Sequence, residues 1–263
     1  MNKKVKFICG NEVILSTSAD KSLEENIVLK ADLAANFLKK ANSLCENKLY
    51  KEAIAIYLNA ILLNRSDVNS YYGLGICYKH LGKYAKAIKN LEIASELKPE
   101  FYEAFYELGI CHLLEGIPCG AIKNFVRAIQ INPENPNAIL QLGIAHELAE
   151  EEDMALMVYQ KLIENSPNFV KAYEHKSTLL MKLGKYLEAM SILVELIKVH
   201  PAYSPAYLGI ATCLDKTGQQ KDAQRYYRKF LQKRPLDMKA EFVKSRMEKI
   251  KSVKSKNNYL SLV

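Results

Sequence analysis

Large apolar, small and polar positions recur along this chain with a period of 34 residues. Proline marks the period at Pro99, Pro133, Pro167, Pro201 and Pro235. Frames starting at Ala34, Val68, Tyr102, Pro136, Val170 and Ser204 align like with like. The fourth place is large and apolar: Phe37, Tyr71, Phe105, Ile139, Tyr173 and Tyr207. The eighth is small throughout: Ala41, Gly75, Gly109, Gly143, Ser177 and Ala211. The twentieth is alanine in every frame, from Ala53 to Ala223, and the twenty-fourth is large again: Tyr57, Leu91, Phe125, Tyr159, Leu193 and Tyr227. Apolar residues three and four apart predict helices, two to a frame. Gly82, Gly116, Gly184 and Gly218 fall where the chain must reverse. The recurrent proline stops the second helix, because it cannot continue the hydrogen-bond ladder. Small residues at the eighth and twentieth places let the paired helices approach closely. A fixed period of this size predicts an array of stacked units rather than one central core.

The pattern resembles the tetratricopeptide repeat (TPR) family. Its signature is visible in Tyr71, Leu74, Gly75 and Tyr78, then in Gly82, Tyr84, Ala87, Ala94 and Pro99. The third frame repeats it with Leu108, Gly109, Ala121, Phe125, Ala128 and Pro133. Arg65 departs from the pattern at the first proline, and Pro118, Glu152 and Gln220 stand where an aromatic usually opens the second helix. The resemblance implies an all-α solenoid of six helix-turn-helix repeats, wound as a right-handed superhelix with a concave groove. The expected organisation is an N-terminal extension over 1–33, repeats at 34–67, 68–101, 102–135, 136–169, 170–203 and 204–237, a C-terminal capping helix over 238–253 and a disordered tail over 254–263.

The ends depart from the period. Val5, Phe7 and Cys9 alternate with polar residues before Gly10-Asn11, and Val13 and Leu15 follow, which permits a short hairpin. Ser22 and Glu25 form a capping-box pattern. A helix is expected from about Leu23, with Leu23, Ile27 and Leu33 covering the first repeat. After Pro235, Met238, Phe242, Met247, Ile250 and Val253 approximate an apolar stripe, with Lys239, Arg246 and Lys249 expected in solvent.

Charge and reactive residues narrow the function classes. The formal net charge is +8, and residues 236–263 hold seven Lys/Arg against three Asp/Glu. A basic tail can touch nucleic acid or anionic membrane, but a solvated end is the expected reading, so neither is expected as a partner. No leader-like or membrane-length apolar run occurs, so the chain is expected to be cytoplasmic. Among the six cysteines, Cys77, Cys111 and Cys213 share the tenth place, where Ala145 also stands, and read as small buried residues. No CxxC pair occurs, and unpaired thiols favour a reducing compartment. His112 and His146 share the eleventh place and read as packing residues with one satisfied nitrogen. No phosphate loop, nucleophile elbow or HExxH motif is present. No metal, cofactor or enzymatic activity is expected.

In the TPR family the first helix of each unit lines the concave face. Its fifth, ninth and twelfth places share one side of a helix. The second to fourth repeats present Tyr72, Tyr106 and Leu140 there, a row of Ile76, Ile110 and Ile144, and Leu113. Glu103, Glu107 and Gln141 add polarity. An apolar strip of that kind predicts a partner. Packing between neighbouring first helices, or a fold-back of residues 1–21, are the competing explanations. Some TPR proteins clamp the carboxylate end of chaperone tails with basic residues and asparagines. At the matching places stand Leu38, Asn42, Gly73, Glu103 and Glu107, so only Asn42 survives and two charges are reversed. The expected function is a non-enzymatic scaffold or adaptor holding an apolar, partly basic peptide or helix. The alternative is a structural subunit, self-assembling or complex-building through its ends or convex face.

Overall fold

A computed structural model describes residues 5–9, 12–16, 18–234 and 236–260, with side chains from 28 to 234 and from 236 to 250. The expectations for Ser22, Leu23, Glu25, Ile27, Val253 and residues 261–263 lie outside these described side chains. Two compact units divide the chain, Met1–Pro133 and Glu134–Val263.

The first unit begins with an antiparallel hairpin of β1 (Val5–Cys9) and β2 (Glu12–Ser16), in a register that pairs Cys9 with Glu12 and Val5 with Ser16. It continues through α1 (Ser18–Glu46), α2 (Tyr50–Leu63), α3 (Val68–His80), α4 (Tyr84–Leu97), α5 (Tyr102–Glu115) and α6 (Pro118–Ile131). The second unit holds α7 (Pro136–Leu148), α8 (Glu152–Asn165), α9 (Val170–Lys182), α10 (Tyr186–Val199), α11 (Ser204–Lys216), α12 (Gln220–Lys233) and α13 (Ala240–Leu260). Within each unit, consecutive helices pack in pairs and each pair packs on the next. The fold is all-α in its body. Helix α1 runs unbroken through the start of the first repeat, and Pro118 opens α6, at the position where a missing N–H costs nothing.

The turn inside each pair follows one rule. Its fifteenth place has positive φ in every repeat: Gly82, Gly116, Gly184 and Gly218, but also Lys48 (φ 62) and Glu150 (φ 59). A left-handed backbone lets the chain reverse in three residues, and the packing of the paired helices holds it there even without glycine.

The core rests on the alanines of the twentieth place, from Ala53 to Ala223, all fully buried. Against them lies the large residue of the twenty-fourth place. A Cβ added at Gly75 would stand 2.6 Å from Leu91, at Gly109 2.5 Å from Phe125 and at Gly143 2.3 Å from Tyr159. The missing side chain is therefore the space that the large one occupies. Where the eighth place is Ala41 or Ser177, the void moves to the sixth place of the next repeat. There a Cβ at Gly73 would stand 2.3 Å from Tyr57, and one at Gly209 2.7 Å from Leu193.

Helix α13 covers the last repeat with a stripe different from the expected one. Ala240, Val243 and Ile250 are buried and Met247 is half-buried, whereas Met238 is 98% and Phe242 68% exposed. The helix starts only at Ala240, after a turn, and this start sets the phase of its buried face. Arg246, expected in solvent, instead grips Asp215 of α11 with Nε at 2.6 Å and Nη2 at 2.9 Å. The guanidinium holds the Asp215 carboxyl below its usual range, against the opposing effect of burial. The helix also continues to Leu260, past the expected end at residue 253.

Three outcomes follow from this packing. Gly109→Leu should lower unfolding free energy by about 1–3 kcal/mol through overpacking on Phe125, and Gly109→Ala should cost in the same direction, read by thermal or urea denaturation. Glu150→Gly should stabilise by about 1 kcal/mol, by relieving a left-handed backbone at an exposed side chain; an unchanged melting curve would show that the turn is not under strain. Val243→Asp should destabilise by about 2 kcal/mol or more through an unpaired buried charge, while Phe242→Ser should stay within about 0.5 kcal/mol of the parent.

Candidate functional site

The first helices of the repeats carry the expected groove residues. In the first unit, Tyr72, Ile76, Tyr106, Glu107, Ile110 and Leu113 are half-buried and Glu103 is exposed. Half-burial fits side chains that pack along one edge and leave the other open. The ring of Tyr72 lies 5.0 Å from that of Phe101, and Tyr106 stacks on Tyr102 while meeting Phe125 edge-on, both at 5.9 Å. Each of the two tyrosines thus packs against at least one neighbouring ring. An open cleft of ≈ 350 Å³ lies beside Tyr72 and Ile76, walled by Leu38, Asn42 and Cys45 of α1. Tyr57 reaches into it from α2 and donates its hydroxyl to Asn42 Oδ1 at 2.7 Å.

The acidic pair does not act as two free charges. Glu107 accepts a 2.6 Å ion pair from Lys79, one repeat earlier, with both side chains 17% exposed. Glu103 alone is left open. Burial, then the Glu107 and Glu103 carboxylates, push the Tyr72 phenol well above its usual range, so it remains a neutral donor.

In the second unit Leu140 is buried, at 3% exposure, and Gln141 and Ile144 are half-buried. Ile144 lines a cleft of ≈ 350 Å³ with Glu147, Glu174, His175 and Lys182. Sequence reasoning did not single out Glu147. It accepts from the Tyr159 hydroxyl at 2.5 Å and lies 3.8 Å from His175 Nδ1 and 3.6 Å from Lys182 Nζ. Burial raises its pKa, but the His175 and Tyr159 hydrogen bonds and the Lys182 charge outweigh that, so the carboxyl stays ionised below its usual range. Further along, Glu174 accepts from the Tyr203 hydroxyl. Two more clefts follow: one of ≈ 300 Å³ from Glu174 to Lys239, and one of ≈ 400 Å³ holding Thr212, Phe242 and Lys249. Both walls mix charged or hydroxyl side chains with apolar ones: Glu174, Lys239 and Thr178 in one, Thr212, Asp215 and Lys249 in the other.

A register rule links the charges. Lys79 pairs with Glu107 and Glu147 with His175, each from the twelfth place of one repeat to the sixth of the next, 28 residues on. That spacing of opposite charges is visible in the sequence once the frame is known. The two eleventh-place histidines diverge. His146 Nδ1 meets Glu151 Oε2 at 2.6 Å, whereas His112 Nδ1 is buried without a hydrogen-bond partner. Burial lowers the His112 pKa and keeps the ring neutral, which reduces the cost of that orphan. Among the described residues no cluster of three or more His, Cys, Asp or Glu could hold a metal, and no helix is long and apolar enough to cross a membrane.

Comparison with known proteins agrees with this architecture. A tetratricopeptide repeat model matches residues 68–101, the bounds of the second 34-residue frame, and another matches 137–168 and 205–236. The chain is 32% identical over 81 residues to Hsp70-Hsp90 organizing protein 3 of Arabidopsis thaliana and 34% identical over 83 residues to Hsp70-Hsp90 organizing protein 1 of Glycine max. These matches cover 31% and 32% of this chain but only 14% of each relative. Among solved structures, the C-terminal part of a TPR repeat-containing protein from Cytophaga hutchinsonii superposes with a TM-score of 0.67 at 20% identity, covering 75% of this chain and 79% of that one. YrrB, described as a TPR protein with an unusual peptide-binding site, gives 0.56 at 21% identity, covering 72% and 97%. Tetratricopeptide repeats thus occupy residues 68–101, 137–168 and 205–236, and the fold is that of the tetratricopeptide repeat structures it resembles.

Proposed function

We propose that this chain is a non-enzymatic scaffold or adaptor that binds another protein through an apolar, partly basic peptide or helix. The carrying observation is the set of half-buried Tyr72, Ile76, Tyr106 and Ile110 on α3 and α5, with both tyrosine rings against neighbouring aromatics and an open cleft beside Tyr72 and Ile76. Rigid tyrosines make good anchors because they offer large area and lose little entropy on binding. Exposed Glu103 supplies the preference for a basic ligand residue. Glu107 contributes less than its charge suggests, because Lys79 already neutralises it. Leu113 extends the proposed contact set on α5, and in the second unit Gln141 and Ile144 are proposed as contacts of their own, with buried Leu140 on the same helix α7.

The similarity to Hsp70-Hsp90 organizing proteins favours a protein partner, while Leu38, Gly73, Glu103 and Glu107 at the clamp places argue against a ligand carboxylate there. A cytoplasmic site of action belongs to this reading. The structural-subunit alternative draws on one observation: Leu236, Met238 and Phe242 are all exposed beside the last repeat, a surface suited to an end contact.

Tyr106→Ala should weaken a partner recovered by pull-down by about 2 kcal/mol, measured by titration calorimetry. Glu107→Lys should slow association with a basic ligand, more so at low salt. It also sets two lysines together, so Lys79→Glu combined with Glu107→Lys should recover stability. Lys161→Ala, exposed on α8, is the control. Wild-type affinity in the Tyr106 and Glu107 variants would sink the groove assignment, and a concentration-dependent dimer lost on Phe242→Ser would favour the alternative.

A further inference from the structure

Two cysteines 32 residues apart meet across the first two repeats. Cys77 Sγ on α3 lies 3.7 Å from Cys45 Sγ in the last turn of α1. Their surroundings differ. Cys77 is fully buried, packed with Ala41, Ala53, Tyr57 and Leu74. Cys45 is half-buried and forms part of the wall of the open cleft beside Leu38, Asn42 and Tyr72. One thiol is therefore within reach of small molecules, and the other is shielded directly behind it. The remaining described cysteines are placed otherwise: Cys111 on α5 and Cys213 on α11 are buried, and Cys119 at the start of α6 is exposed.

We propose that Cys45 and Cys77 are an oxidisable dithiol that closes to an intramolecular disulfide between α1 and α3, with a peroxide as oxidant. The Cys45 sulfur attacks the peroxide, breaks its O–O bond and becomes a sulfenic acid, and the peroxide leaves as an alcohol or water. The Cys77 sulfur then attacks Cys45 Sγ. The S–O bond breaks, the hydroxide departs with the Cys77 proton as water, and the S–S bond forms. Two thiols and one peroxide thus give one disulfide, with the two electrons taken up by the peroxide oxygens. The sulfurs must close by about 1.7 Å to reach bonding distance, within the range of side-chain rotation on two packed helices. Burial, with the nearby Cys45 sulfur, pushes the Cys77 thiol up to about 12. It therefore stays protonated and waits for Cys45 to be activated, which fixes the order of the steps. A small thiol reverses the bond by exchange.

The bond would join the first repeat to the second and close a loop that is open in the unfolded chain, which stabilises the folded state. It would also draw the Cys45 sulfur toward Cys77, changing one wall of the cleft beside Tyr72. Oxidation would in this way act on the same face as the proposed peptide contact, although the dithiol chemistry does not depend on that contact.

The test uses the full chain, treated with hydrogen peroxide, blocked with N-ethylmaleimide under denaturing conditions and digested for mass spectrometry. The expected product is a Cys45–Cys77 linked peptide, an intact mass lower by two hydrogens and a melting temperature several degrees higher. Dithiothreitol should reverse all three. Cys45→Ser and Cys77→Ala should each abolish the link and the thermal shift. Alanine is suited to the Cys77 place because Ala145 fills it in the fourth repeat. The proposal is overturned if Cys45 ends as sulfinic acid while Cys77 remains fully alkylated. It is equally overturned if the linked peptides join Cys45 to Cys9 or Cys119 instead.

Discussion

The whole array depends on one steric fit: a large side chain from each second helix needs a void on a first helix. Leu91, Phe125 and Tyr159 find it at the glycine of their own repeat's eighth place. Tyr57 and Leu193 find it at Gly73 and Gly209, the sixth place of the repeat that follows. The two solutions are alternatives. A repeat with Ala41 or Ser177 at its eighth place cannot seat the large side chain fully on its own partner helix, so Tyr57 or Leu193 leans onward and the next repeat must give up a side chain. The buried atoms stay close-packed either way, while the void lies at the eighth place in one case and at the sixth in the other.

The same choice shapes the surface of the first helices. The sixth place faces the preceding repeat, so a glycine there gives up a side chain to packing. Where the preceding repeat's eighth place is Gly75 or Gly143, the sixth place is free to carry Glu107 or His175, which meet Lys79 and Glu147 of that preceding repeat. Where the sixth place is Gly73, the face opens instead into the cleft walled by α1, and the Tyr57 hydroxyl reaches Asn42. The location of a packing void on a first helix thus decides where the first helices carry charge pairs and where they border a cleft. This ties groove chemistry to core sterics through single glycines.

Most of the fold was legible because a repeat states its rules six times. The twentieth-place alanines, the small eighth place and the large twenty-fourth place each reappear in the packing. What escaped was information carried by single residues in single contexts. Lys48 and Glu150 adopt the turn conformation that glycine announces elsewhere, since packed helices can hold a left-handed residue that the local sequence does not favour. The buried stripe of α13 was misphased at Met238 and Phe242, because hydrophobic periodicity gives a helix its face only after its first residue is known. Arg246 looked like a solvent lysine's equivalent, yet its planar fork matched the Asp215 carboxylate. The closeness of Cys45 and Cys77 was hidden for a related reason: they occupy the twelfth and tenth places, which meet only when two first helices are laid side by side.

The candidate groove was half legible, and the missing half is electrostatic. Counting carboxylates on the concave face gives Glu103 and Glu107 equal weight. The structure separates them. Lys79 pairs with Glu107 at 2.6 Å, with both side chains mostly sheltered, and such a pair offers an incoming charge little net field. Glu103 stands in the first turn of α5, exposed, where the helix N-terminus already stabilises a negative charge. A basic ligand residue gains most from the carboxylate that has no internal partner to give up, provided that carboxylate lies close to an apolar anchor. Tyr102 and Tyr106, stacked on the same helix, supply that anchor. The proposed electrostatic selectivity therefore falls to Glu103, while Glu107 and Lys79 serve first to join one repeat to the next.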